Sequence, residues 1–235
     1  MNSPWIVVPT YNEQANVERL IASLFALKIP GSQVLIVDDN SPDGTAELVK
    51  KMQPQYPGLD LLIRQEKKGL GPAYVHGFQY ALDHGADAVV QMDADFSHDP
   101  NDVPRLLTQL DRADLVLGSR YSHGISVINW PLRRLLVSLG GNIYTSLITG
   151  MPFKDATGGF KAWRASTLDA LGLETIEADG YGFQIAMTHR AWKKGFKIVE
   201  LPIVFTERRD GQSKMSKTII KEALLLVWKL RLFGG

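Results

Sequence analysis

Asp93-Ala-Asp95 places two carboxylates one residue apart, directly after the apolar run Ala88–Met92. Such a pair can reach a single hard divalent cation. Mg²⁺ takes one or two carboxylates and completes its shell with water and substrate phosphates. A cation held there would neutralise a departing diphosphate. The same residues also suit a solvated turn, because His98-Asp-Pro-Asn-Asp102 reads as the start of a helix. Their place after a fourth apolar run favours the metal reading. Asp38-Asp39-Asn-Ser-Pro-Asp-Gly-Thr45 suits a strand end, turn and helix cap, and Asp39 could equally accept hydrogen bonds from a nucleobase or ribose. Pro9-Thr-Tyr-Asn-Glu13 pairs a ring able to stack on a base with a carboxylate able to accept its N–H groups; a capped helix start is the other reading. Lys67-Lys68-Gly-Leu-Gly71 has the glycines of a phosphate cradle, but a short G-x-G is a weak signal and a flexible turn accounts for it.

Cationic residues follow. Arg120 comes just after the apolar run Leu115–Gly118. Arg134 and Ser138 are spaced i, i+4 on a helix that Pro131 can start, so they share a face. A guanidinium fork beside a hydroxyl makes a phosphate-binding surface, although a basic helix face is more often simply solvated. Arg208, Arg209 and Lys214 fall on the glycine-containing stretch Phe205–Lys214, which reads as a loop closing over a diphosphate or as an ordinary surface loop. Thiol chemistry is excluded, since the chain has no cysteine. The histidines at 76, 84, 98, 123 and 189 show no metal-ligand spacing and read as surface or turn residues, and no G-x-S-x-G elbow is present.

The elements that must position these groups alternate. Trp5–Val8, Val34–Val37, Leu59–Ile63, Ala88–Met92 and Leu115–Gly118 are short apolar runs. Between them Asn12–Leu24, Thr45–Met52 and Ala73–Leu82 carry helical spacing. Strands apolar on both faces and separated by helices predict an α/β fold with a parallel sheet covered on both sides. Ligands of such sheets bind beyond the carboxyl ends of the strands. Those ends carry Tyr11, Glu13, Asp39, Asp93, Asp95 and Arg120, so acidic, aromatic and basic groups converge on one edge.

The second half is more helical. Leu132, Leu135, Leu136, Leu139 and Ile143 form an apolar stripe after Pro131; Phe183–Lys194 predicts a helix, Lys197–Val204 a strand and Lys217–Phe233 a terminal helix. With 45% apolar and 22% charged residues in 235, the composition is that of an ordinary globular protein. A formal net charge of +1 gives no bulk affinity for nucleic acid. No run approaches the ~20 apolar residues of a spanning helix, and no secretory pattern opens the chain, so it reads as soluble or peripheral. The stripe after Pro131, and Trp228, Leu232 and Phe233 beside Lys229 and Arg231, suit helices lying at a membrane interface, or a core.

The sequence resembles the polyprenol- and dolichol-phosphate mannose synthases, inverting glycosyltransferases of the GT-A fold. The resemblance rests on PTYNE at 9–13, VDDNSPDGT at 37–45, KKGLGPAY at 67–74, MDADFSHDP at 92–100 and GSRY at 118–121. It extends through NWPLRR at 129–134, DATGGFKAW at 155–163, GYGFQI at 180–185 and R-x-x-G-x-S-K at 208–214. It implies a GT-A catalytic domain over 1–215, with a nucleotide-sugar half at 1–121 and an acceptor half at 122–215, followed by an amphipathic helix at 216–235. Transfer of mannose from GDP-mannose to polyprenyl or dolichyl phosphate, with inversion, is the implied reaction. Glucose from UDP-glucose is the near alternative; a sugar nucleotidyltransferase is a more distant one, disfavoured because no Gly-rich basic loop follows the first strand.

Roles follow at the matching positions. Pro9, Tyr11, Glu13, Val37, Asp39, Asp93, Ala94, Asp95, Arg208 and Lys214 would bind the donor. Arg120, Arg134 and Ser138 would hold the acceptor phosphate. Asp93, Asp95 and Ser97 would hold Mg²⁺ or Mn²⁺, and Asp95, Arg120 and Arg208 would act in the transfer step. The implied setting is peripheral, on the cytoplasmic face of a membrane, with a small anchoring subunit as a further partner. Two departures stand out. Gly158 replaces the commoner serine, and Ala186 stands where many relatives carry an acidic residue, at the place of a supposed catalytic base. A phosphate monoester has a second pKa near ~6 and is largely dianionic at neutral pH. Its oxygen is already nucleophilic, so a single displacement without a protein base is expected.

Overall fold

The computed structural model describes residues 1–176 and 178–207, the backbone of 217–233, and the side chains of 224–232. Arg208, Arg209 and Lys214 lie outside the described residues. The order is β1 (Pro4–Thr10), α1 (Gln14–Ala26), β2 (Gln33–Asp38), α2 (Thr45–Met52), β3 (Leu59–Ile63), α3 (Leu70–Asp83), β4 (Ala88–Gln91), α4 (Val103–Gln109) and β5 (Leu115–Ser119). Then follow β6 (Val127–Ile128), α5 (Leu132–Thr149), β7 (Lys161–Arg164), α6 (Ala165–Ala170), α7 (Gly180–Lys193), β8 (Ile198–Pro202), β9 (Phe205–Thr206) and α8 (Lys217–Phe233).

β1, β2, β4 and β5 carry apolar residues on both faces because helices cover both sides of the sheet. Side chains alternate faces along a strand. In β1, Ile6 and Val8 pack with α1, α2 and α4, while Trp5 and Val7 pack with α3, α6 and α7. The same alternation separates Val34 and Ile36 from Leu35 and Val37 in β2. Val37 was expected at the donor; its side chain is fully buried in the core instead. It faces Gly77 of α3, where an added Cβ would meet Val37 Cγ2 at 2.9 Å and Val7 Cγ1 at 2.5 Å. The missing side chain lets α3 lie directly on β1 and β2.

The main sheet runs β3-β2-β1-β4-β7-β5-β8. Its neighbours are parallel except β7, which is antiparallel to both β4 and β5. The sequence reading assigned no strand to β7: it is four residues long, and begins with a lysine that turns out to be buried. β7 and β8 lie beyond residue 121, so the expected donor and acceptor halves share one sheet. β6 and β9 form a separate two-stranded ribbon.

α5 is amphipathic in the reverse of the usual sense for a surface helix. Its buried residues are polar: Asn142, Thr145 and Thr149. Leu132, Leu136, Ile143 and Leu147 point outward, Leu147 with 77% of its surface exposed. α8 packs against α5 and α7. Its Val227 and Leu230 join Ile185, Ala186 and Met151 in a small apolar cluster, while Leu225, Trp228 and Leu232 stay exposed. Among the described residues no helix is long and apolar enough to cross a membrane.

Candidate active site

The turn after β4 is built to hold two carboxylates still. Asp93 receives a hydrogen bond from the Tyr74 hydroxyl at 3.1 Å on Oδ1. Tyr74 is fully buried in α3, with its ring stacked on Phe78 and Phe183. Burial, and then the negative charge of Asp93, push the Tyr74 pKa well above its ordinary value, so the phenol remains a donor. The backbone N–H of Asp93 donates to Nδ1 of His98 at 3.2 Å. His98 lies in this turn, one of the two places expected for it, but is buried there and stacked on Phe160; burial lowers its pKa and favours the neutral ring that can accept this bond. His189, expected at the surface or in a turn, is likewise buried.

Phe96 adopts a φ of +58°, a left-handed conformation that is strained for a bulky residue. It folds the turn so that the N–H and Oγ of Ser97 both donate to Asp95 Oδ1, at 3.0 and 2.6 Å. Ser97 was expected as a metal ligand. It is buried, its hydroxyl is engaged by Asp95, and it is not among the residues lining the cleft. Its place is behind the carboxylate, which it orients.

Asp93, Ala94 and Asp95 line a cleft of about 400 Å³ together with Pro9, Tyr11 and Glu13. Asp39 lines it too, with Oδ1 held by the Arg64 guanidinium at 2.7 Å. Burial raises the Asp39 pKa, and Arg64 opposes that rise. Lys67 reaches back over the Tyr11 ring, its ammonium 3.8 Å from the centroid, so the basic loop covers the aromatic group expected to stack on a base. The end of this segment is tied to α7. Asp179, at the start of α7, accepts a hydrogen bond from the N–H of Gly71 at 2.7 Å. Gly69 has a φ of +103°, and a Cβ there would stand 2.1 Å from Asp179 Oδ2, so glycine is required.

A second, smaller cavity of about 90 Å³ adjoins the cleft, lined by Arg120, Trp130, Val137, Ser138, Ile185 and Val227 among others. Arg134, Thr157 and Tyr181 line both spaces. Through these three residues the cleft that holds the acidic pair adjoins the pocket that holds Arg120. Neither arginine is a bare cation. Arg134 is ion-paired to Glu207 and lies 4.2 Å over the Trp130 ring. Arg120 is buried and held by Asp155 through Nε at 2.7 Å and Nη2 at 2.6 Å, with Thr157 Oγ1 also accepting at 2.9 Å. Burial alone would lower the Arg120 pKa, but Asp155 more than reverses this, so the guanidinium stays charged. Arg120 was expected to be free to grip a phosphate; the structure makes it half of a neutralised pair in the pocket wall. Ser138 accepts from the Tyr121 hydroxyl at 2.7 Å.

Sequence reasoning missed Thr157, Gly159, Asp179 and Gln184 as cleft residues, and found Lys67 only within a weak phosphate-cradle pattern. The four missed residues lie in DATGGFKAW or GYGFQI or just before the latter, segments whose motifs alone assign these positions no role. Ala186 sits in the apolar cluster with Ile185, Val227 and Leu230 rather than among the residues lining the cleft. The turn of α7 that meets the cleft presents Gly180, Tyr181 and Gln184.

Residues 5–172 match the family model described as glycosyl transferase family 2. An undecaprenyl-phosphate mannosyltransferase of Micrococcus luteus is 45% identical over 223 residues, which span 94% of this chain and 90% of that protein. A polyprenol monophosphomannose synthase of Mycolicibacterium smegmatis is 42% identical over 230 residues, spanning 96% and 86%. Among solved structures, glucosyl-3-phosphoglycerate synthase of Mycobacterium tuberculosis, in complex with Mn²⁺, UDP-glucose and phosphoglyceric acid, superposes with a TM-score of 0.70 at 19% identity, covering 96% of this chain and 80% of that one. That likeness bears on the fold, a GT-A sheet. With the family model spanning most of the chain and two relatives aligned almost end to end, this protein belongs to glycosyl transferase family 2.

Proposed function

We propose that this protein transfers mannose from GDP-mannose to the phosphate of a polyprenyl phosphate, with inversion, while resting on a membrane surface. The observation that carries the reading is the position of Arg134, which lines both the acidic cleft and the adjoining pocket. A cationic side chain there sits where a diphosphate on one side and a monophosphate on the other would meet. The names of the two relatives support the acceptor and the sugar.

The donor set fits a divalent cation such as Mn²⁺ or Mg²⁺. Two carboxylates one residue apart, Asp93 and Asp95, line the cleft, and among the described residues no group of three or more acidic, histidine or cysteine side chains could hold a metal ion. A hard cation that draws its remaining ligands from a diphosphate and water needs no more. Asp93 and Asp95 would hold it. When bound, it would supply charge neutralisation to the departing nucleoside diphosphate. Tyr74 and Ser97 keep the two carboxylates in place. Tyr11, Glu13 and Asp39, which line the same cleft, would hold the nucleoside. On the acceptor side, Arg134 and Ser138 would orient a phosphate whose dianion attacks the anomeric carbon directly, so the chain supplies alignment and charge, not a base. Arg120 shapes that pocket as a cation already balanced by Asp155.

The outward leucines of α5 and α8 would rest in the interfacial layer of the bilayer. This reading places lipid, and not a second subunit, against that face. The test is a transfer assay with purified protein, Mn²⁺, a short-chain polyprenyl phosphate and, separately, GDP-mannose and UDP-glucose. Release of GDP with formation of a mannosyl lipid is expected. Turnover only with UDP-glucose would replace the donor, and release of pyrophosphate would replace the reaction.

A further inference from the structure

We propose that Gly159, Gln184 and Asp93 form a notch in the cleft that receives one hydroxyl of the transferred hexose and so helps select the sugar. The inference rests on the transferase reading and specifies part of its donor site. All three residues line the cleft. Gln184 is only 2% exposed, yet its Nε2 has no hydrogen-bond partner in the protein.

The orientation of that amide is fixed from behind. Trp163 Nε1 donates to Gln91 Oε1 at 3.3 Å, and Gln91 Nε2 donates to Gln184 Oε1 at 2.7 Å. An indole nitrogen can only donate, so it sets which end of the Gln91 amide is oxygen, and Gln91 then sets the same for Gln184. The chain of bonds leaves the Gln184 NH₂ group without an acceptor. Buried donors are almost always paired, and one left over at the wall of a ligand cleft calls for a partner from the ligand.

Gly159 supplies the room. A Cβ at this position would stand 3.6 Å from Gln184 Nε2, 3.6 Å from Asp93 Oδ1 and 3.7 Å from Asp93 Oδ2. With glycine at 159, no side chain stands between an amide donor and a carboxylate acceptor, and a Cβ there would touch both. That pairing matches a hydroxyl, which accepts from the amide and donates to the carboxylate. Asp93 has capacity for this beside its bond from Tyr74, because a carboxylate offers about four lone-pair positions. A site built to hydrogen-bond a substrate hydroxyl discriminates strongly against analogues that lack it.

The experiment uses Gly159→Ala with the full-length chain, Mn²⁺ and whichever nucleotide sugar the unmodified protein uses. The added methyl meets its neighbours at ordinary van der Waals distances, so Tm should hold. We expect kcat/KM for the intact donor to fall about tenfold or more, as loss of a matched hydroxyl implies, with Kd for GDP unchanged. Among monodeoxy analogues of the donor sugar, one should be a poor substrate of the unmodified protein and the best substrate of Gly159→Ala, because the methyl then occupies the place of the missing hydroxyl. Gln184→Met should lose discrimination against that same analogue, which provides a second readout if the alanine variant folds poorly. Unmodified kinetics of Gly159→Ala on every donor would overturn the proposal, as would a loss of GDP affinity that accounts for the whole fall in kcat/KM. Absence of transfer by the unmodified protein would instead overturn the transferase reading itself, so the two failures are distinct.

Discussion

The Tyr74 hydroxyl donates to Oδ1 of Asp93 across 3.1 Å, joining α3 to the turn after β4. The bond explains why a tyrosine is buried in the KKGLGPAY segment: its ring packs in the core while its one polar atom reaches the cleft. Tyr74→Phe removes the hydroxyl and leaves the packing. A hydrogen bond to a charged group contributes about 1.5–3 kcal/mol. The variant should therefore fold, need more Mn²⁺ for half-maximal activity, and turn over roughly tenfold more slowly. A metal titration of activity indistinguishable from the unmodified protein would show that Asp93 needs no such anchor.

Asp155 is the counterweight to Arg120. Removing it by Asp155→Ala leaves a guanidinium buried and unpaired, at a cost of about 3–5 kcal/mol. Tm should fall by roughly 6–20 °C in a chain of this size. The double replacement Arg120→Met with Asp155→Leu should recover most of that loss, since an apolar pair of similar volume substitutes for a buried ion pair. If Arg120 also steadies the acceptor phosphate, the double variant will be stable and show a raised KM for polyprenyl phosphate. A single variant that melts with the unmodified protein would mean the pair is not buried in solution.

The legible part of this protein was the part where one period dominates. β1, β2, β4 and β5 read as strands because both their faces are apolar; the groups after β1, β2 and β4 meet in the cleft, and Arg120 after β5 lines the adjoining pocket. β7 was hidden because a strand flanked on both sides needs few residues, and Lys161 disguised it. Asp155 and Thr157 could not be paired with Arg120 from sequence, since the contact joins residues 35 and 37 positions apart through β7's approach to β5. Val37 and Ser97 show the limit of assigning roles by motif: a residue inside a matching segment can serve the core or orient a neighbouring side chain instead.

Ala186 bears on the question of a catalytic base. Its neighbours are apolar, so a carboxylate there would be buried among Ile185, Val227 and Leu230. Ala186→Glu should give no gain in turnover and should cost stability by the ~1–3 kcal/mol or more that attends a buried polar group without a partner. A large rise in kcat would reverse this and show that an absent base limits the enzyme.

Leu136 and Leu147 on α5 point away from the protein, with 60% and 77% of their surface exposed. Leu136→Glu and Leu147→Glu should shift stability by no more than about 0.5 kcal/mol, as exposed substitutions do. Both should weaken flotation with liposomes while leaving turnover of a water-soluble, short-chain acceptor intact. Point changes are preferable to removing the last residues, because Val227 and Leu230 of α8 also cover Ile185 and Ala186. Undiminished vesicle binding by the double variant would locate the membrane contact elsewhere.

Lys161 provides a pH test of the buried network behind the cleft. Burial lowers its pKa from 10.5 to about 7, while Nζ donates to the carbonyl of Gln184 at 2.8 Å and to Thr188 Oγ1 at 2.9 Å. Between pH 7 and 10.5 the unfolded chain holds this proton and the folded chain does not, so the lysine's contribution to stability rises with pH across that window. Below pH 7 both states are protonated and the penalty of burying the ammonium is constant and at its largest. The slope is at most about 1.4 kcal/mol per pH unit for one proton. Urea unfolding of the unmodified protein and of Lys161→Met at several pH values isolates the effect, because other titrating groups largely cancel in the difference. The difference should move in favour of the lysine form as pH rises from 7 towards 10. A flat difference would mean that Lys161 keeps an ordinary pKa, and that water reaches the space between β7 and α7.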